Sequence, residues 1–261
     1  MGDLLSNPDV WVSFLTLVLM EIVLGVDNII FISILTGKLE KSKQGSTRII
    51  GLTLALGMRI LLLMLIGWIV SLRCPLFELP FHLPGSHVDV DASCKADPQG
   101  HPVSGRDLIL IVGGLFLIFK TGYELFQKLS KKEEIPVGAD GQRIYPAVIS
   151  IIIQIIFVDI IFSFDSILTA VGLVDDVRIM IAAVIVSMIF MMVASKWVSD
   201  FIDTYPGIKI VALTFLVMIG IYLFMEGFHW EYLKKEYLYF GLVFALICEG
   251  LNIRYRKILE S

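Results

Sequence analysis

Charge is what this sequence has least of. Only 18% of its 261 residues are Asp, Glu, Lys or Arg, against 57% hydrophobic, and the mean hydropathy is +0.84. Soluble domains carry about 25% charged residues, so a water-soluble globule is excluded. Several apolar runs exceed the ~18 residues that cross a bilayer as a helix. The chain therefore reads as an all-α, polytopic membrane protein with the lipid bilayer as its solvent. Histidine and cysteine are also scarce, at four and three. No His lies in an apolar span, and the one Cys that does, Cys248, is far in sequence from the acidic segments described below. That argues against a zinc or copper site built from the usual His and Cys donors. No patch of Lys and Arg suits a nucleic-acid partner. No nucleotide-binding motif is present, which points to a secondary mechanism rather than ATP hydrolysis. The residues before the first apolar run include Asp3 and Asp9 but no Lys or Arg. A signal peptide needs a positive n-region and a short h-region, so the first span is expected to be retained.

What is present is a series of seven apolar segments, at about 10–35, 48–71, 107–128, 145–172, 178–197, 208–227 and 237–253. Cations collect in alternate connections. Lys38, Lys41, Lys43 and Arg48 follow the first segment, and Lys128, Lys131, Lys132 and Arg143 follow the third. Lys196 and Lys209 flank the turn after the fifth, while Arg254, Arg256 and Lys257 follow the seventh. The positive-inside rule then puts the N-terminus outside and the C-terminus in the cytoplasm. Cys74 and Cys94 both fall in the outward 72–106 loop, where an oxidising compartment lets them pair. His82, His87 and His101 share that loop without zinc-like spacing and read as solvated. Its prolines suggest an irregular cap rather than a second domain. Cys248 reads as a small packing residue.

Two of the most apolar segments carry acids. EIVLGVDNII runs from Glu21 to Ile30, and DIIFSFDSIL runs from Asp159 to Leu168. An offset of 138 aligns Asp165 with Asp27, Asp159 with Glu21, Ser166 with Asn28 and Ser163 with Gly25. The chain then reads as one transmembrane domain, 1–261. It would contain a three-helix repeat at about 10–128, a second at about 145–227, and an added helix at 237–253. Three spans are an odd number, so the second copy is inverted, as in many secondary transporters whose sites lie near the midplane. On a straight helix, six residues put Glu21 and Asp27 about 120° and ~9 Å apart. The two acids therefore serve different points of a path, or each helix opens between them, at Gly25 and at Ser163.

Intramembrane acids mark ion or proton paths. Arg59 and Lys120 are the cations placed to act as counter-ions or proton relays, and four acids less two cations leave two formal negative charges. One divalent ion would neutralise them. Carboxylates, the Asn28 amide and the Ser163 and Ser166 hydroxyls are hard donors, suited to Mn, Mg or Ca without separating them. Glu124, Glu226 and Glu249 lie nearer the span ends and read equally as mouth residues or as ordinary terminal charges.

At these residues the sequence resembles the TerC family of integral membrane proteins. The resemblance covers nearly the whole chain and is carried by EIVLGVDNIIFIS (Glu21–Ser33), GGLFLIFK (Gly113–Lys120), DIIFSFDSILTAVGL (Asp159–Leu173) and EGF (Glu226–Phe228). It implies a multi-pass protein of the bacterial inner membrane that exports Mn(II), with no resident cofactor; the lack of a nucleotide-binding motif makes proton antiport the expected driver. The metal ion is cargo. Glu21, Asp27, Asn28, Asp159, Asp165 and Ser166 match the family's motif positions. Two other classes stay open. An intramembrane aspartyl protease also needs two membrane-embedded Asp residues, but not the extra acid six residues before each. A seven-span stress sensor needs no repeat-related buried acids.

Overall fold

Aliphatic runs in lipid must satisfy every backbone amide internally, and the helix does so within one segment. The computed structural model describes residues 8–72, 74–79, 101–130, 146–171, 173, 174, 176–230 and 234–260. Helices α1 (Pro8–Leu24) and α2 (Val26–Thr36) cover the first apolar segment, and α3 (Lys41–Met64) and α4 (Ile66–Ser71) cover the second. Then follow α5 (Gly105–Leu129), α6 (Val148–Val171), α7 (Val177–Thr204), α8 (Pro206–Gly227) and α9 (Lys235–Glu260). Among the described residues six helices are long and apolar enough to cross a membrane, α1 and α2 counting as one, and α6 supplies a shorter apolar stretch, Val148–Phe164. The fold is an all-α, polytopic membrane protein.

Three helices run seven residues beyond their apolar segments, among them α9, which continues past 253 to Glu260. Helix α3 begins seven residues before the expected start at 48, because hydropathy does not register the polar turns that carry buried Thr47 and Arg48. Helix α7 continues past 197 to Thr204, burying Ser199 and Ile202. Proline opens α8 at its first turn, where no amide donor is needed.

The chain divides into two compact units, Met1–Ser71 with Ile135–Asp203, and Leu72–Glu134 with Thr204–Ser261. The first holds α1–α4, α6 and α7. The second holds α5, α8 and α9.

In the first unit α3 crosses α6 at Gly51, where a Cβ would meet Ile155 Cδ1 at 2.9 Å. In the second, α5 and α8 touch through glycine. A Cβ on Gly114 would stand 2.7 Å from both the Gly220 carbonyl oxygen and the Phe224 amide nitrogen, and one on Gly220 would stand 3.0 Å from the Gly114 carbonyl oxygen. Small residues let helix backbones approach in lipid, where apolar side chains gain nothing by leaving the tails. Helix α5 starts in a capping box: the Ser104 amide and hydroxyl donate to Asp107 Oδ2 at 2.8 and 2.7 Å, and the Asp107 amide donates to Ser104 Oγ at 3.2 Å.

The ends of the long loop are ordered as a small antiparallel ladder, β1 (Pro75–Leu79) with β2 (His101–Ser104), in place of a wholly irregular cap. Cys74 is disulfide-bonded and Cys248 is free. Cys94, His82 and His87 lie outside the described residues, as do Lys131, Lys132 and Arg143.

Gly114→Val is expected to overpack this crossing by about 1–3 kcal/mol. Gly122→Ala, on the same helix with nothing within 4 Å, should be neutral. Detergent thermal-shift measurements on the two variants check the contrast.

Candidate functional site

Glu21 lies in the last turn of α1, and Asp27 and Asn28 in the first turn of α2. Between them the helix is interrupted at Gly25, which has φ −87° and ψ −4°. The Gly25 amide still donates to the Glu21 carbonyl at 2.9 Å, and the ladder resumes where the Ile29 amide donates to the Gly25 carbonyl at 3.2 Å. The first motif therefore opens where its spacing suggested. Only glycine fits there: a Cβ would stand 2.3 Å from Met191 Sδ of α7 and 2.8 Å from the Glu21 carbonyl oxygen.

The second motif behaves differently. Helix α6 continues without a break through Ser163, so the opening expected there is absent. The physical reason is a local bond, since Ser163 Oγ donates to Asp159 Oδ2 one turn back, at 3.2 Å. The next hydroxyl, Ser166, donates to the Ser163 carbonyl at 3.2 Å. Both serines are thus tied to their own helix.

Arg59 of α3 joins the two motifs. Its Nη1 donates to Glu21 Oε2 at 2.6 Å, its Nη2 to Asp159 Oδ1 at 3.0 Å, and its Nε to both Asp159 oxygens at 3.3 Å. Asn28 Nδ2 adds a bond to Asp159 Oδ1 at 3.2 Å. Glu21 and Asp159, the acids that the 138-residue offset aligns, thus meet on one guanidinium. All are buried: Arg59 is 2% exposed, Asp27 and Asp159 3%, and Glu21 4%. The two carboxylates on Arg59 exceed its charge by one. Asn28 Oδ1 is buried and accepts no hydrogen bond among the described residues, so one further hard acceptor is open beside Asp159.

Lys120 is placed elsewhere. It belongs to α5 in the second unit, where its Nζ lies 3.7 Å from Glu124 Oε1, and it is 32% exposed. This ion pair lies within one helix. The Asp165 side chain lies outside the described residues. Among the described residues no group of three or more His, Cys, Asp or Glu side chains is arranged to hold a metal ion. In this conformer Glu21 and Asp159 face Arg59.

The outer acid also finds a partner, since Glu226 is ion-paired with Arg106 in the second unit. Its neighbours close the C-terminus of α8. The Trp230 amide donates to the Met225 carbonyl at 3.0 Å and the His229 amide to the Glu226 carbonyl at 2.9 Å, with His229 at φ 56°. His229 Nε2 stands 3.7 Å from Asp107 Oδ1. Glu249 lies against α8 at Gly207, where a Cβ would overlap its carboxylate.

Arg48 was counted from sequence as a loop cation, yet it is buried. Its Nη2 donates to Ser199 Oγ at 2.8 Å and its Nη1 to the Ser195 carbonyl at 3.2 Å, with Asp200 and Asp203 nearby. The signal was available: Arg48 and Arg59 are eleven residues apart, hence about 20° apart on one helix face and ~16 Å along it.

Three comparisons bear on this arrangement. The family model described as "Integral membrane protein TerC family" matches residues 6–261. A UPF0053 protein of Haemophilus influenzae is 40% identical over the full length of both chains. The UPF0053 inner membrane proteins YgdQ and YoaE of Escherichia coli are 37% and 39% identical. The matches cover 95% of this chain and 94% of YgdQ, and 96% of this chain but 44% of the longer YoaE. No solved structure matches.

Removing Arg59 strands two buried carboxylates, so Arg59→Ala should cost about 3–5 kcal/mol. Lys120→Ala loses a 3.7 Å i, i+4 pair with one buried acid, Glu124, and should cost less than Arg59→Ala because one carboxylate and not two loses its partner. Folded yield and melting temperature of the two variants should differ accordingly.

Proposed function

The chain belongs to the TerC family of integral membrane proteins, and from that premise we propose that it is a secondary transporter exporting divalent metal cations, Mn(II) foremost. The observation that carries the reading is that two buried acids from the two motifs, Glu21 and Asp159, meet on a single guanidinium, with Asp27 buried in the same motif as Glu21. Intramembrane acids of this kind face a water-filled route or a partner charge. Every candidate donor is a hard oxygen. Such donors fit Mn(II), Mg(II) or Ca(II). The family resemblance favours Mn(II) among them.

In this reading Asp27 and Asp165 are direct ligands, because they follow Gly25 and Ser163 in the two copies. Asn28 and Ser166 supply neutral oxygens. Glu21, Asp159 and Ser163 complete the shell or carry protons during release, and Arg59 is their counter-ion. The driver is proton antiport. Seven spans in two inverted repeats, with the N-terminus outside, place the site at the midplane of a bacterial inner membrane. The pairing of α5 with α8, and the collection of the other four repeat spans in one unit, support the repeat. An interrupted first helix supports the site, since non-helical backbone at membrane depth is tolerated only in protein or around a cavity.

Asp27→Asn and Asp165→Asn keep size and an oxygen ligand while removing charge. Each is expected to abolish Mn(II) tolerance in cells and Mn-dependent thermal stabilisation, with normal membrane insertion. Export by both variants at the wild-type rate refutes the assignment. Total Mn, Mg, Ca, Zn and Fe in overexpressing cells identifies the ion.

A further inference from the structure

We propose that Arg59 is a tethered stand-in for the transported cation, occupying Glu21 and Asp159 when the carrier is empty and leaving them when the ion binds. The proposal rests on the cation-export reading above and assigns its missing step, the return of the empty carrier.

Three observations carry it. First, the acids are committed. Asp159 receives Arg59 Nε and Nη2, Asn28 Nδ2 and Ser163 Oγ, while Glu21 receives Arg59 Nη1. A carboxylate offers about four lone-pair sites, so Asp159 has none to spare for a metal until the guanidinium withdraws. Second, the guanidinium spans equivalent positions of the two motifs. A planar fork suits two carboxylates, and a divalent ion between them would take the same central place. Third, the helices bearing Arg59 and Glu21 are both interrupted close by. Helix α3 stops at Met64 and α4 restarts at Ile66, with the Leu65 amide shared between the Leu61 and Leu62 carbonyls at 3.1 Å each. Helix α1 gives way to α2 at Gly25. The helix bearing Asp159 runs unbroken, so the fork and one acid have pivots while the other acid stays fixed.

The exchange also balances charge: replacing one guanidinium by one divalent ion takes Glu21 and Asp159 from one excess negative charge to none. With neither Arg59 nor protons on them, these two acids would be buried without a counter-charge, a costly state. A built-in competitor lowers apparent affinity by the fraction of time it vacates the site. That weakens binding and speeds release.

The test uses the full chain, purified, with Mn(II) titrated by calorimetry and the same protein assayed for Mn(II) efflux in proteoliposomes. Arg59→Gln, compared at equal folded fraction, is expected to bind Mn(II) about tenfold or more tightly than wild type, for a competitor in place nine-tenths of the time. It should show a larger Mn-induced rise in melting temperature and slower export. A merely structural Arg59 gives the opposite: binding unchanged or weaker once unfolded protein is discounted, and that result overturns the proposal. Where Arg59→Gln does not fold, Arg59→Lys decides. It keeps the charge but cannot bridge both acids, so it should also bind Mn(II) more tightly than wild type, and unchanged or weaker binding again overturns the proposal. Wild-type protein that neither binds nor moves any of Mn(II), Mg(II) or Ca(II) refutes the export reading itself, and the proposal with it.

Discussion

The first unit is organised by one side chain that it can neither expose nor leave unpaired. Arg59 lies 2% exposed among α1, α3 and α6, and its partners are the two acids aligned by the sequence repeat. Burying three charges is close to break-even at best, because desolvation offsets their mutual attraction. A hydrophobic trio of similar volume would hold the same helices at less risk. Stability is therefore a poor reason for the arrangement. It does fix register: Nη1 reaches α1 while Nη2 and Nε reach α6, so a slip of any of the three helices strands a charge in the membrane.

The second unit solves the same packing problem with almost no charge. Its crossing of α5 and α8 is made by Gly114 and Gly220, backbone against backbone, and its charged groups lie off that crossing, in Arg106–Glu226, in the Asp107 capping box and in Lys120–Glu124. Glycine contacts are close but carry no ion, whereas the acidic cluster is polar and incompletely neutralised. That division of labour separates a packed element from a chemical one. It also explains two motifs singled out from sequence. GGLFLIFK supplies the close approach, and EGF supplies Glu226 for the ion pair, Gly227 for contact with α5 and Phe228 for the ring cluster with Phe224 and Trp230.

Much of this was legible in the chain. Apolar runs located the helices, because lipid leaves the backbone no alternative, but missed seven residues at one end of α3, α7 and α9. The paired acids marked two residues that meet on Arg59, and Gly25, between Glu21 and Asp27, marked the interruption. Other features depend on which way a side chain faces, which hydropathy does not report. Lys120 and Arg59 look alike as cations deep in spans, yet one is 32% exposed beside Glu124 and the other is sealed between two acids. Arg48 looked like a loop charge because the helix was taken to begin where the apolar run begins. Met191 carried no signal at all, since a methionine in an apolar helix is usually filler. Its contact with Gly25 exists only in three dimensions.

The two motifs are equivalent in sequence but not in structure, and the difference follows from one aligned pair. At Gly25 there is no side chain to bridge to Glu21, and glycine adds the most backbone freedom to be lost on folding. Met191 fills the space instead. At Ser163 a hydroxyl reaches Asp159 and leaves α6 continuous. An inverted repeat with two identical halves would have both helices broken or neither. Here one acid stands on a rigid helix, held by its own serine, by Asn28 and by Arg59. The other stands at the end of a helix that gives way four residues later. A cluster built on one fixed and one hinged element can change the distance between its carboxylates without dismantling the unit, because only the hinged side has to move. The asymmetry comes from one aligned pair of positions, glycine in one motif and serine in the other.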